Sequence, residues 1–244
     1  MKNYRLKIQY FGKKYAGWQI QPNVKTVQGE IVSKINIITG SNINLIGSGR
    51  TDAGVHALGQ IANFQTETDL NLFKFQHSLN SLLSNDVAIT EISEVPLKFN
   101  SRFDAVKRSY FYLFTNAKSP FYNDYSYQYN PIFNIKTNKL NHISQLLIGE
   151  YDFTSFCRKK TDTENMVCNI SLAKWKQLKD FIIFRIDANR FLHGMVRTIV
   201  GTVLQIAEKN LPSEKIIEMI NQKSRESAGR AVVAKGLFLL DVKY

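Results

Sequence analysis

Gly47-Ser48-Gly49-Arg50-Thr51-Asp52-Ala53-Gly54-Val55-His56-Ala57 is the most unusual run in this chain of 244 residues. Its three glycines open backbone angles closed to other residues and let a bulky ligand approach the main chain, which marks a loop. The flanks say what the loop joins. Downstream, Gln60-Ile61-Ala62-Asn63-Phe64-Gln65-Thr66 alternates polar and apolar residues, as a half-buried strand does. Upstream, Tyr4-Arg5-Leu6-Lys7-Ile8-Gln9-Tyr10 alternates in the same way. Between these strands Val27, Ile31 and Ile35 recur at helical spacing behind a Thr26 cap. Strand, helix, loop and strand in this order predict an α+β fold.

The same grammar continues. A second helix is expected from Leu72 to Leu83, with Leu72, Phe75, Leu79 and Leu83 on one face, and strands at Val87–Ile92 and Ser109–Phe114. Further on, the spacing predicts a helix over Lys139–Leu147 with Leu140, Ile143 and Leu147 inward. Strands at Ala173–Leu178 and Phe181–Asp187 follow. A longer helix from His193 to Glu208 carries a stripe of Val196, Ile199, Val200, Val203 and Ala207. A short helix over Ser213–Gln222 and a strand at Leu237–Val242 close the chain. Asn116–Asn138, with its tyrosines and little apolar spacing, is expected to link the halves or to make an excursion. Packing of those tyrosines on the body and stacking on bases are both open to it.

Composition narrows the function classes. Hydrophobic residues are 44% and charged residues 21%, which excludes a largely disordered chain. The apolar runs are too short to span a bilayer and Met1-Lys2-Asn3-Tyr4 opens no signal core, so a cytoplasmic, membrane-free protein is expected. Two cysteines, Cys157 and Cys168, make neither a disulfide framework nor a four-ligand zinc site by themselves, and with four His and no Cys and His at metal-ligand spacing no metal site is expected. The net charge of +12 suits a polyanionic partner such as nucleic acid. An AT-rich genome, which favours Lys, Asn and Ile codons, would give the same excess.

The loop itself brings Arg50, Asp52 and His56 together. An acid and a base in a glycine-rich loop on a rigid scaffold form a plausible reactive site. An Arg-Asp turn with a local hydrogen bond is the plain structural alternative.

Gly49-Arg50-Thr51-Asp52-Ala53-Gly54-Val55-His56-Ala57 resembles the signature of the TruA family of tRNA pseudouridine synthases, and the likeness runs over nearly the whole chain. Tyr10-Phe11-Gly12-Lys13-Lys14-Tyr15-Ala16-Gly17-Trp18-Gln19-Ile20-Gln21 is similar to the family's opening motif. Arg102-Phe103-Asp104-Ala105, Tyr110-Phe111-Tyr112, Tyr151-Asp152-Phe153-Thr154-Ser155-Phe156, Ala188 to Arg197 and Lys235-Gly236-Leu237 follow in the family's order. The resemblance implies two α/β-sandwich halves related by a pseudo-twofold, here 1–104 and 105–244. They would share an extended, mainly antiparallel sheet, with the active cleft between them. It implies conversion of uridine to pseudouridine in the tRNA anticodon stem-loop, at positions 38, 39 or 40, by a homodimer without a cofactor.

Residue roles follow from the same likeness. Asp52 matches the catalytic aspartate, a nucleophile at sugar or base or a base in a glycal route. Arg197 matches the arginine that keeps this carboxylate ionised, against a surface ion pair as the alternative. Tyr110 matches the tyrosine that stacks on the target base, with Tyr112 on the same strand face. Leu237 resembles the apolar wall of the pocket or is plain core. Arg50 looks like the residue that fills the gap left by the extruded nucleotide. His56 and His193 contact RNA or are structural; Asn189 falls in the substrate-binding motif. Lys107, Arg108, Arg158, Lys159 and Lys160 are phosphate contacts or a solvated face. Ser84 and Val233 stand where the family favours proline, and Ser109 where it favours arginine; none of the three removes a catalytic group. A non-catalytic RNA-binding protein on the same scaffold is the rival reading. A glycoside hydrolase lacks a second acid near Asp52 in sequence.

Overall fold

The computed structural model describes residues 1–158 and 165–244. The fold is mixed α+β, with a large, mostly antiparallel sheet. The chain forms two compact units, 1–106 with 239–244, and 107–238.

In the first unit, β1 (Lys2–Tyr10) pairs antiparallel with both β3 (His56–Thr66) and β4 (Val87–Val95). Leu6 faces Ala62 on one side and Ile92 on the other, and short β2 (Ile46–Gly47) lies on β3. The alternation expected for β1 is met: Tyr4, Leu6 and Ile8 are fully buried, while Arg5 and Lys7 are half-exposed. Helices α1 (Val27–Thr39) and α2 (Leu72–Leu82) add Val27, Ile31, Ile35, Phe75 and Leu79 to this core. Each such side chain contributes roughly 1.5–3 kcal/mol of burial. The Thr26 hydroxyl accepts from the Gly29 amide, and Asn71 caps α2 by accepting from Lys74.

Glu30 locks α1 to the end of α2. Its carboxylate accepts from the Tyr15 hydroxyl at 2.8 Å, the Ser84 amide at 2.9 Å and the Lys25 ammonium at 2.9 Å. Proline at position 84 could not supply that amide, so serine there gives the network a donor. Burial alone would raise the Glu30 carboxyl, but Lys25, Ser84 and Tyr15 outweigh it and hold it down at about 2. A depressed carboxyl stabilises the fold above its ordinary value of 4.5 and loses that contribution as the pH falls toward 2. Glu30→Gln is therefore expected to cost about 1–3 kcal/mol at neutral pH. In urea unfolding, the gap to the parent chain should close between these two pH values.

In the second unit, β5 (Lys107–Thr115), β9 (Phe181–Ala188), β8 (Val167–Leu178) and β7 (Gly149–Asp152) pair in that order, all antiparallel. Tyr112 faces Phe184, which in turn faces Trp175, and α3 (Thr137–Gln145) packs against β8 with its Leu140 and Ile143 buried. The Trp175 indole donates to the Ser144 hydroxyl, so its one polar atom is satisfied inside the core. Helix α4 (Met195–Glu208) buries the predicted stripe, and Met195, Thr198, Thr202, Leu204 and Ile206 as well. It begins two residues later than expected, because Gly194 turns left-handed at φ 74° immediately before it. α5 (Lys215–Asn221) is likewise shorter than predicted. β10 (Leu237–Lys243) begins in this unit and ends in the first.

The tyrosine-rich stretch 116–138 is no linker between halves; it lies wholly within the second unit. β6 (Tyr127–Gln128) adds to β5 as a parallel pair, Tyr127 stacks on Tyr129, and Tyr122 meets Phe181 edge-on. Ser126 and Ile132 are buried beneath them.

Candidate active site

The glycine-rich run folds into a turn at the head of β3. The Val55 amide donates to the Asp52 carbonyl at 3.1 Å, with Gly54 left-handed between them. Asp52 is half-buried, Arg50 is exposed and Thr51 is buried. The loop is pinned from outside. The Trp18 amide donates to the Thr51 carbonyl at 3.1 Å, and the Thr51 hydroxyl shares a buried hydrogen bond of 2.8 Å with the Tyr10 hydroxyl. The Gln60 side chain bridges Ser48 and the Gly49 carbonyl. His56 is 1% exposed; its Nδ1 accepts from the Gly12 amide at 3.1 Å and its ring stacks on Phe11. With Nδ1 accepting, a neutral ring carries its proton on Nε2. These contacts tie the loop to the segment just after β1.

The remaining candidates lie in the second unit. Tyr110 sits on β5 opposite Ile186, nearly buried, with Phe191 edge-on at 5.2 Å. Tyr112, on the same strand face, is fully buried and donates to the Val233 carbonyl at 2.7 Å. Burial pushes its hydroxyl far up, with Arg197 acting in the opposite sense. Its role is therefore structural. Arg197 stands in the first turn of α4, and its Nε donates to the Val232 carbonyl at 2.7 Å while its own carbonyl accepts from the Val232 amide. Arg197 and Tyr112 thus hold consecutive carbonyls of the segment that leads into Leu237, which is buried at the start of β10.

Asn189 and His193 are both exposed. The Asn189 side-chain oxygen accepts from the amides of Asn169 and Arg190, and its carbonyl accepts from Arg108. The His193 carbonyl accepts from the Arg158 amide. Lys159 and Lys160 lie outside the described residues. Sequence reading missed Asp187, which is 3% exposed opposite Ser109. Burial would raise its carboxyl, yet Arg185, Ser109 and Lys107 together keep it low. Arg185 reaches it through Nε and Nη2, so a guanidinium serves this carboxylate even though position 109 is serine. A charged residue at an alternating position of a strand was the signal that could have found it.

Residues 7–104 and 143–244 match the model of the tRNA pseudouridine synthase family. The chain belongs to that family. Its similarity to individual members is end to end. It is 42% identical to the tRNA pseudouridine synthase A of Caldicellulosiruptor saccharolyticus over 244 residues, the whole of both chains. It is 40% identical to the corresponding protein of Caldicellulosiruptor bescii, again over the whole of both chains. With that of Brachyspira hyodysenteriae it shares 40% identity over 98% of this chain and 96% of the other. In this pseudouridine synthase the two stretches matched by the family model hold the Asp52 loop, Asn189, His193, Arg197 and Leu237. Tyr110 falls between those stretches and is covered by the full-length relatives.

Proposed function

We propose that this synthase isomerises uridine at position 38, 39 or 40 in the anticodon stem-loop of tRNA, with Asp52 as the nucleophile. The observation that carries the reading is a half-buried aspartate on a turn pinned at Thr51, Val55 and His56, within a chain of this family. The reaction breaks the N1–C1′ bond, turns the uracil, joins C5 to C1′ and releases the C5 proton. Asp52 attacks sugar or base, and Arg197 is the cation that holds it ionised against desolvation. Tyr110 stacks on the base, an interaction of roughly 1–3 kcal/mol that keeps the detached uracil in place. Leu237 closes the pocket, and Arg50, exposed on the loop, fills the gap left by the extruded nucleotide. Asn189 and His193 contact the RNA.

The surplus of cations, 32 Lys and Arg against 20 Asp and Glu, supports a tRNA partner. No helix among the described residues is long and apolar enough to cross a membrane. The active species is a homodimer in the cytoplasm, with a light-scattering mass near twice 28.0 kDa. Unmodified tRNA incubated with the protein and then mapped by carbodiimide and primer extension should stop at a pseudouridine at one of the three positions. Binding of tRNA without any such stop would overturn the reading.

A further inference from the structure

The Asp52 loop is gripped at the residue directly before the aspartate, and the grip comes from one stretch, Tyr10 to Trp18. Thr51 is held twice. Its carbonyl accepts from the Trp18 amide at 3.1 Å, and its hydroxyl meets the Tyr10 hydroxyl at 2.8 Å in a buried contact. Gly17 lets that stretch come so close: at φ 106°, a Cβ there would lie 2.5 Å from the Thr51 carbonyl oxygen. Tyr10 is 4% exposed, with its ring tilted against Trp18 at a centroid distance of 6.0 Å. A ring held in packing carries a hydroxyl with little freedom, and that hydroxyl fixes the side chain of the residue preceding Asp52.

We propose that Tyr10 is a positioning residue for the reaction, acting through the Thr51 hydroxyl to set the direction in which Asp52 projects. This rests on Asp52 being the nucleophile. Tyr10 touches neither substrate nor reacting atoms in this role. A displacement of about 1 Å at a reacting group costs up to roughly a hundredfold in rate, so a single hydrogen bond beside the nucleophile has leverage on turnover. It has none on the binding of a tRNA through its backbone.

Tyr10→Phe removes only the hydroxyl, and Thr51→Val removes its partner. Each is expected to lower kcat for pseudouridine formation about tenfold, with KM within about twofold and Tm within a few degrees of the parent, as for an interaction that matters only in the transition state. Thr51→Ser, which restores the hydroxyl, should recover most of what Thr51→Val loses. The double variant Tyr10→Phe, Thr51→Val should be no worse than either single one, since both break the same bond. A Tyr10→Phe protein with unchanged kcat overturns the proposal. So does one whose loss of turnover merely follows a fall in Tm or a rise in KM. Asp52→Ala, assayed beside them, separates the two levels. If it remains active, Asp52 is not the nucleophile and the positioning role falls with it. If it is dead while Tyr10→Phe is normal, only the positioning role is lost.

Discussion

Asp52→Ala is expected to reduce pseudouridine formation by at least ~10⁴-fold, or about 5 kcal/mol of barrier, while tRNA binding persists. The size follows from the role. A nucleophile opens the covalent route, and without it only positioning and stacking remain. Asp52→Asn sharpens the test, because it preserves shape and hydrogen-bonding capacity but removes the negative charge. If Asp52 works as a charged oxygen, both variants are equally inactive. The turn keeps its hydrogen bonds at the Thr51 carbonyl and hydroxyl, the Asp52 carbonyl and the His56 ring in either variant. Tm is therefore expected within a few degrees of the parent. Single-turnover mapping with the carbodiimide reagent reads the rate, and a filter-binding titration at fixed salt reads the affinity. Wild-type rates in both variants would sink the assignment; loss of binding in step with activity would mean the loop had unfolded.

What the sequence made legible, and what it hid, divides along the range of the interactions. β1 was readable because Tyr4, Leu6 and Ile8 follow one another at period two, and α1 because Thr26 precedes Val27, Ile31 and Ile35 within a few residues. Those signals are local. The start of α4 was misplaced because the left-handed turn at Gly194 is invisible to a hydrophobic pattern that already runs smoothly through it. The segment 116–138 was obscure because its rings find partners by tertiary packing, Tyr122 on Phe181 for instance, with no period along the chain.

The candidate site shows the same division more strongly. Asp52 and Arg50 are recognisable as part of a motif, yet nothing near His56 in sequence says that its acceptor is filled by Gly12, 44 positions earlier. Arg197 likewise binds the carbonyl of Val232, and a backbone atom leaves no mark in the identity of the residue that carries it. Tyr110 and Tyr112 are indistinguishable by period. They differ in that the Tyr112 hydroxyl donates to the Val233 carbonyl, while the Tyr110 ring meets Phe191 edge-on.

Gly201→Ala is expected to be the most damaging single-methyl addition in the second unit, lowering stability by about 3 kcal/mol or more and activity along with it. In an exposed helix, glycine to alanine would help by up to about 1 kcal/mol. Here the sign reverses, because an added Cβ would lie 1.8 Å from the Arg230 carbonyl oxygen. That oxygen belongs to the main chain and has no rotamer to escape into, so α4 and the segment 229–233 must separate. The separation breaks more than a packing contact. The Gly229 amide donates to the Thr202 hydroxyl, the Val232 amide to the Arg197 carbonyl, and Arg197 Nε to the Val232 carbonyl, all across the same seam. Losing the last of these frees the guanidinium plane that the proposed chemistry needs fixed. Urea unfolding should show the reduced stability, and at temperatures where the variant remains folded its kcat should still fall below the parent's. Lys235→Ala, at a partly exposed residue on the turn beyond the seam, should leave stability within about 0.5 kcal/mol. A Gly201→Ala protein as stable as its parent would mean that α4 and its neighbour do not pack this closely, and Arg197 would then lack the support that holds it in place.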